Sequence, residues 1–198
     1  VEKDEFGHVM LVLAVSKRGI EAFSAKVFID CTGDADLATW AGAPTEKGSP
    51  DGDLQMATHC FMLTNVDTYA YKHPMNRDWD HVHQSIGVIA KDGKYPLIRD
   101  GHGCNSLLGP GAVGFNAGHI SDIDNTDPDT VTVGLLEGRR MAAQFRDALA
   151  EYSPKAFGNA WIAQTAPLLG IRETRRIVGD YVLTREDYLA RASFDDEI

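Results

Sequence analysis

The side chains of this sequence that can carry chemistry fall into three groups: a small-residue turn, a set of histidines and a short run of arginines. The turn closes Val27-Phe28-Ile29-Asp30-Cys31-Thr32-Gly33-Asp34. Gly33 lets main chain approach a ligand with no Cβ in the way, and the start of a following helix offers N–H groups without partners. Asp34 opposes a bound anion, so it reads as a helix cap or as a partner for ligand hydroxyls. A plain strand-to-helix turn has the same pattern.

Of the seven histidines, His59, His102 and His119 fall in the Gly- and Asn-rich middle of the chain. There an imidazole can give or take a proton near neutral pH, or serve as an ordinary polar contact. His81-Val82-His83 would set two imidazoles on one face of a strand, half of a metal site. No cysteine or acidic partner stands at ligand spacing, so no metal is expected. Arg172, Arg175 and Arg176 form the densest basic feature. A guanidinium grips carboxylate or phosphate through two parallel hydrogen bonds, which makes Arg172 and Arg175 candidates to hold an anion. Ion pairing with Glu173, Asp180 or nearby carboxylates is the alternative. Cys31, Cys60 and Cys104 are odd in number and far apart, which suits neither a disulfide framework nor a zinc or iron–sulfur site. Cys104 is a candidate redox thiol with no second cysteine near it. Cysteines used in this way point to a reducing, cytoplasmic compartment.

Elements must hold these groups. Glu5-Phe6-Gly7 turns into the apolar run His8 to Val15, and Ser16-Lys17-Arg18-Gly19 supplies hairpin chemistry before the chain returns through Ile20 to Ser24. Ala25 to Asp30 reads as a strand buried on both faces. Asp34 then caps a short helix that Gly42 and Pro44 end. From Glu46 to about Asp129 the pattern reads as strands and long connections, with apolar bursts at Cys60–Leu63, Ile86–Ile89 and Val113–Phe115. After Asp129 the positions Val131, Leu135, Ala142, Phe145, Leu149 and Tyr152 follow one helical face, interrupted by Gly134 and Gly138. Pro154 starts another short helix. Strands at Ala160–Ala166 and Ile177–Leu183 follow, and Thr184 with Asp187 opens a last helix.

Composition limits what the chain can be. With 198 residues, 43% apolar and 24% charged, it is one large domain or one and a half, and general disorder is excluded. No apolar run approaches the ~18 residues of a membrane span, so no membrane partner is expected. A formal charge of −10 repels phosphate backbones, which disfavours nucleic acid as a partner. Small anions remain eligible where arginines concentrate.

Two stretches carry a resemblance. Ala25 to Asp36, ending in Ala41-Gly42-Ala43-Pro44, resembles the second sequence signature of FAD-dependent oxidoreductases, in which a β-meander, an apolar strand and an Ala-Thr-Gly-Asp turn follow one another; Cys31 stands at the alanine. Gly170-Ile171-Arg172-Glu173-Thr174-Arg175-Arg176-Ile177-Val178-Gly179-Asp180-Tyr181-Val182-Leu183-Thr184 is similar to a block late in the same family, near the heterodisulfide reductase A-like flavoproteins. The resemblance implies an α/β (α+β) chain. Residues 1–45 would be part of a Rossmann-like FAD-binding domain with its β-meander, and 46–198 a mixed-sheet substrate-domain region. It implies FAD as cofactor, with Thr32, Gly33 and Asp34 beside it. His59, His102 and His119 would then roof a small substrate, and Arg172 and Arg175 would serve as anion contacts. Some relatives carry 4Fe-4S clusters, which three isolated cysteines do not supply.

The GxGxxG turn that holds the pyrophosphate of FAD is expected between a buried strand and a helix. Gly109-Pro110-Gly111-Ala112-Val113-Gly114 matches its letters, but Phe115-Asn116-Ala117-Gly118-His119 follows with no helical face, so it reads as a Gly-rich loop. The chain is therefore expected to be an internal portion of a longer flavoprotein, partnered by the rest of its polypeptide and in a homo-oligomer where one forms. A non-catalytic ligand-binding or interaction domain that kept the architecture is the alternative. The flavoenzyme reading expects the bend at Gly33 to lie against a cofactor rather than on an outer surface away from any cleft.

Overall fold

The computed structural model describes residues 1–73, 81–195 and 197. In chain order its elements are β1 (Glu2–Lys3), β2 (Val9–Ser16), β3 (Gly19–Phe23), α1 (Asp36–Ala41), β4 (Thr45–Lys47), β5 (Phe61–Thr64), α2 (Thr68–Lys72) and α3 (His81–Asp92). Then follow β6 (Gly103–Gly109), β7 (Ala112–Ala117), α4 (Pro128–Tyr152), α5 (Pro154–Phe157), β8 (Trp161–Thr165), β9 (Arg175–Ile177) and α6 (Arg185–Ala190). Helices combine with sheets whose ladders among the described residues are all antiparallel, an α+β arrangement. Val1–Lys47 and Arg175–Ile198 form one compact unit, and Gly48–Thr174 a second.

In the first unit β1, β2 and β3 form a meander. Ser16 pairs with Gly19, which leaves Lys17 and Arg18 as the turn; Gly19 has φ +108°, where a side chain would be strained. The expected strand Ala25–Asp30 does not form. Residues 24–33 join no ladder, and Val27 and Ile29 are 74% and 79% exposed. Apolar content marks strand tendency, but a strand exists only where a neighbour supplies a ladder, and none of the described strands does so.

The capping expectation also changes. The residue before α1 is Ala35, in the left-handed region at φ +52°, and no side chain caps it there. Asp30, not Asp34, supplies the carboxylate, accepting from the N–H groups of Thr32 and Ala38, both at 2.8 Å. Gly42 does end the helix in a left-handed conformation. Of the expected strand Ile177–Leu183 only Ile177 is in a ladder: β9 pairs with the three-residue β4, with Glu46 opposite Arg176, and β4 is too short to template more. At α6 both halves of the Thr184–Asp187 capping box are present.

The second unit is built on a sheet of order β6-β7-β5-β8. One face carries Phe61, Leu63, Val113 and Phe115, with Phe61 and Phe115 stacked at 4.8 Å. Against the core lies α4, whose Asp127 side chain takes the N–H of Asp129 and whose first residue is Pro128. Met141, Ala142, Phe145, Ala148 and Leu149 of α4 are buried, and every buried core side chain among the described residues belongs to this unit. Gly134 and Gly138 do not break the helix: both are buried, and a Cβ on Gly138 would sit 2.4 Å from the Cβ of His59.

Residues 81–92 are helical, so His81-Val82-His83 and Ile86-Gly87-Val88-Ile89 are not strands. Ile86 and Ile89, three apart, are both fully buried, which is helical spacing that a four-residue apolar burst cannot announce. The side chains of His81 and His83 lie outside the described residues. Gly109-Pro110-Gly111-Ala112 joins β6 to β7 as a hairpin turn, not a strand-to-helix turn. Among the described residues no helix is long and apolar enough to cross a membrane.

Candidate functional site

Register assembles a site at one end of the β6–β7 ladder. Gly103 pairs with Ala117, and just beyond them the N–H of Gly118 donates to the carbonyl of His102 at 3.0 Å. This brings the rings of His102 and His119 face to face, 4.2 Å apart and 5° from parallel. Asp100 ties the pair together. One carboxylate oxygen accepts from the main-chain N–H of His102 and the other pairs with Nδ1 of His119, each at 2.8 Å. A carboxylate only accepts, so His119 carries its proton on Nδ1. The Nδ1 of His102 makes a long contact of 3.5 Å with the carbonyl of Gly118. Neither Nε2 has a hydrogen bond among the described residues.

A second pairing brings in the arginine. Thr58 and Gly170 exchange both main-chain hydrogen bonds, at 3.0 and 2.7 Å, which pins residues 170–172 beside the segment leading into β5. Arg172, His102, His119, Asn116, Gln55 and Cys60 thereby line one cleft of about 620 Å³. Arg172 is exposed, with no ion pair among the described residues. Cys60 and Asn116 also border a groove of about 510 Å³ over the outer face of the sheet, which Cys104, Met62, Leu108 and Gln164 line. All of these residues belong to the second unit.

His59 is not part of this cluster. It is 3% exposed, packs on Gly138, and its Nε2–H donates to the carbonyl of Ala166 at 2.8 Å, while its Nδ1 is buried with no partner among the described residues. Arg175 and Arg176 part company with Arg172, since both fall in the first unit. Arg175 donates from Nε to the carbonyl of Asp34 at 2.7 Å and from Nη2 to Asp36 at 2.5 Å. Arg176 meets Glu46 at 2.9 Å. Ion pairing, not an open anion contact, is what both make here. Sequence reasoning missed Asp100, although Asp two residues before His102 is the spacing of an Asx-turn. It also missed Asn116, which strand alternation sets on the face opposite Phe115.

The small-residue turn is held from within the first unit. Thr32 donates from its N–H and its hydroxyl to Asp30, each at 2.8 Å, and its Oγ1 accepts from the N–H of Asp36 at 2.8 Å. The N–H groups of Ala38 and Thr32 hold the Asp30 carboxyl below its ordinary value. Asp34 is buried, and one of its oxygens accepts from the N–H of Arg175 at 3.3 Å. Gly33 is exposed; a Cβ there meets no atom within 4 Å, and its N–H has no partner among the described residues. An open main-chain donor suits one contact with FAD, while the neighbouring Thr32 hydroxyl is already engaged with Asp30 and Asp36. The pyrophosphate grip is another matter, since the Gly109–Gly114 stretch is a hairpin. Gly33 lies on the surface of its unit and lines neither cleft, so the turn by itself does not establish a flavin site.

Among the described residues no group of three or more His, Cys, Asp or Glu side chains is arranged to hold a metal ion. Neither a curated protein nor a solved structure matches the chain. The family assignment rests on sequence over the whole length: residues 1–198 match the model of the FAD dependent oxidoreductases, and the chain belongs to that family.

Proposed function

We propose that this chain is the cofactor-turn and substrate-cleft portion of a larger flavoenzyme, of the heterodisulfide reductase A-like kind, that oxidises or reduces a small anionic substrate. The single observation that carries the reading is the His102–His119–Asp100 cluster sharing a cleft with Arg172, in a chain of an FAD-dependent family. In this reading Thr32, Gly33 and Asp34 lie beside the cofactor, within a Rossmann-like domain completed by further sequence of the same polypeptide, which also supplies the pyrophosphate turn. The cytoplasm is its proposed compartment, consistent with three free thiols.

FAD, when bound, supplies the two-electron acceptor or donor. The chain's residues do the rest. Arg172 holds the anionic end of the substrate through its guanidinium fork. Asp100 fixes the tautomer and angle of His119, leaving Nε2 to accept the proton that leaves the substrate on oxidation, or to return it on reduction. His102, stacked on His119, limits the rotation of that ring. Gln55 and Asn116 offer amides to further polar groups of the substrate.

Flavin absorbance of the full-length protein is the first test, and a colourless protein favours a non-catalytic binding domain. Anaerobic bleaching of the flavin by a panel of small organic acids then identifies substrate. His119→Asn is expected to slow bleaching about 100-fold, within the usual worth of a general acid or base, with loss of the pH dependence. Undiminished bleaching in that variant would remove His119 from the mechanism.

A further inference from the structure

We infer that the cleft between His102 and Arg172 takes the carboxylate of a small singly charged acid, in preference to a phosphate or a dicarboxylate; calling that acid the substrate rests on the flavoenzyme reading above. The first argument is charge. Arg172 contributes one positive charge and Asp100 one negative charge, which is committed to His119 at 2.8 Å. With His119 neutral or protonated, the three groups sum to between zero and one positive charge. Adding a proton to His102 as well would set two imidazolium rings 4.2 Å apart in parallel, which Coulomb repulsion opposes. Such a cleft balances at most one negative charge and leaves a second uncompensated.

The second argument is the kind of donor present. Phosphate sites draw on helix N-termini or on runs of main-chain N–H in glycine-rich turns. The residues lining this cleft come from strand ends and irregular segments, and none is helical. What they present instead is one guanidinium fork, suited to the two oxygens of a carboxylate, and the side-chain amides of Gln55 and Asn116. Amides suit a hydroxyl or carbonyl on the same small molecule.

The test follows the ring resonances of His102 and His119 in the purified full-length protein as glycolate, succinate and inorganic phosphate are added at pH 8. Glycolate is expected to shift both rings saturably, with succinate no tighter and phosphate at least tenfold weaker. Arg172→Met should weaken glycolate at least tenfold, and Arg172→Lys, which keeps the charge and loses the fork, by a smaller factor. Arg172 is exposed, so both variants should keep the wild-type circular dichroism and melting temperature; if Arg172→Met fails to fold, Arg172→Lys decides. No saturable shift with glycolate, tighter binding of succinate or phosphate, or unchanged affinity in the folded arginine variant would overturn the inference. Flavin absorbance of the same samples separates the two readings. A yellow protein that ignores glycolate defeats this inference alone, and a colourless protein that binds it defeats the flavoenzyme reading while the carboxylate site stands.

Discussion

The guanidinium of Arg175 reaches across 141 positions of sequence to the main-chain carbonyl of Asp34, with Nε 2.7 Å from the oxygen, while its Nη2 holds Asp36 at 2.5 Å. Arg175 thus clamps both sides of Ala35, the residue in the left-handed region that turns the chain into α1. Its side chain is only 12% exposed, so these bonds are shielded from competing water. Arg175 is a positioning residue for the Thr32–Asp34 turn.

If that turn meets the cofactor as proposed, Arg175→Lys should weaken FAD binding about tenfold, since a lysine replaces a two-point fork by a single donor and about 1.4 kcal/mol is a factor of ten. Arg175→Met should weaken it further. Arg176→Gln, which breaks a solvent-exposed pair with Glu46, is the control and should leave affinity unchanged. Quenching of flavin fluorescence on the apoprotein measures all three, and equal affinity in wild type and Arg175→Lys would end the positioning role.

Packing of α4 on His59 leaves no room for a methyl group at Gly138. Gly138→Ala is expected to cost about 1–3 kcal/mol through overpacking, which for a chain of this size lowers the melting temperature by roughly 3–10 °C. Because the clash is with the Cβ and ring of His59, the penalty should shrink in a His59→Gly background. Additive effects in the double variant would show that the two residues do not share the strain.

Asp30 should titrate below its ordinary value of 3.8, because the Ala38 and Thr32 N–H groups favour the charged carboxylate. A lowered folded pKa adds stability that is present above 3.8 and is lost as pH falls through the lower folded value. Carboxyl carbon resonances would give the midpoint directly. Asp30→Asn should flatten the acid limb of the stability curve, and a midpoint at or above 3.8 would contradict the hydrogen-bond arrangement.

Cys60 and Cys104 flank Asn116 in one cross-strand row, since Cys104 pairs with Asn116 and Phe61 with Phe115. Two strand spacings separate them by roughly 9.5 Å, beyond the ~7 Å that a disulfide tolerates between Cα atoms. All three cysteines are exposed and should react with a thiol reagent in the native state. Mild oxidation followed by peptide mass mapping should find no Cys60–Cys104 bridge within the chain, and finding one would show that the β5–β7–β6 register is wrong.

Local signals in the sequence were sound where a pattern needs only its own neighbours. The Lys17-Arg18 hairpin, the long helix after Asp129, the Thr184–Asp187 capping box and the reading of Gly109–Ala112 as a loop rather than a strand-to-helix turn depend on a few adjacent residues. So does the end of α1 at Gly42. The apolar runs at 25–30 and 86–89 were misleading for one shared reason. Hydrophobicity without length or periodicity does not say which partner will cover a segment, or whether a ladder exists for it to join.

By itself the amino-acid order determined membership of an FAD-dependent family, the acidic balance, and which side chains were available for proton and anion chemistry. Tertiary structure alone decided how those side chains divide. His102 and His119 meet across a β-ladder with Asp100 beneath both, Arg172 joins them through the Thr58–Gly170 pairing, His59 goes to the core, and Arg175 turns to Asp34. Apart from the local bond between Asp100 and the His102 N–H, each of these outcomes is set by a contact between residues 16 or more positions apart. Such contacts depend on strand register and helix packing, which composition and spacing do not encode.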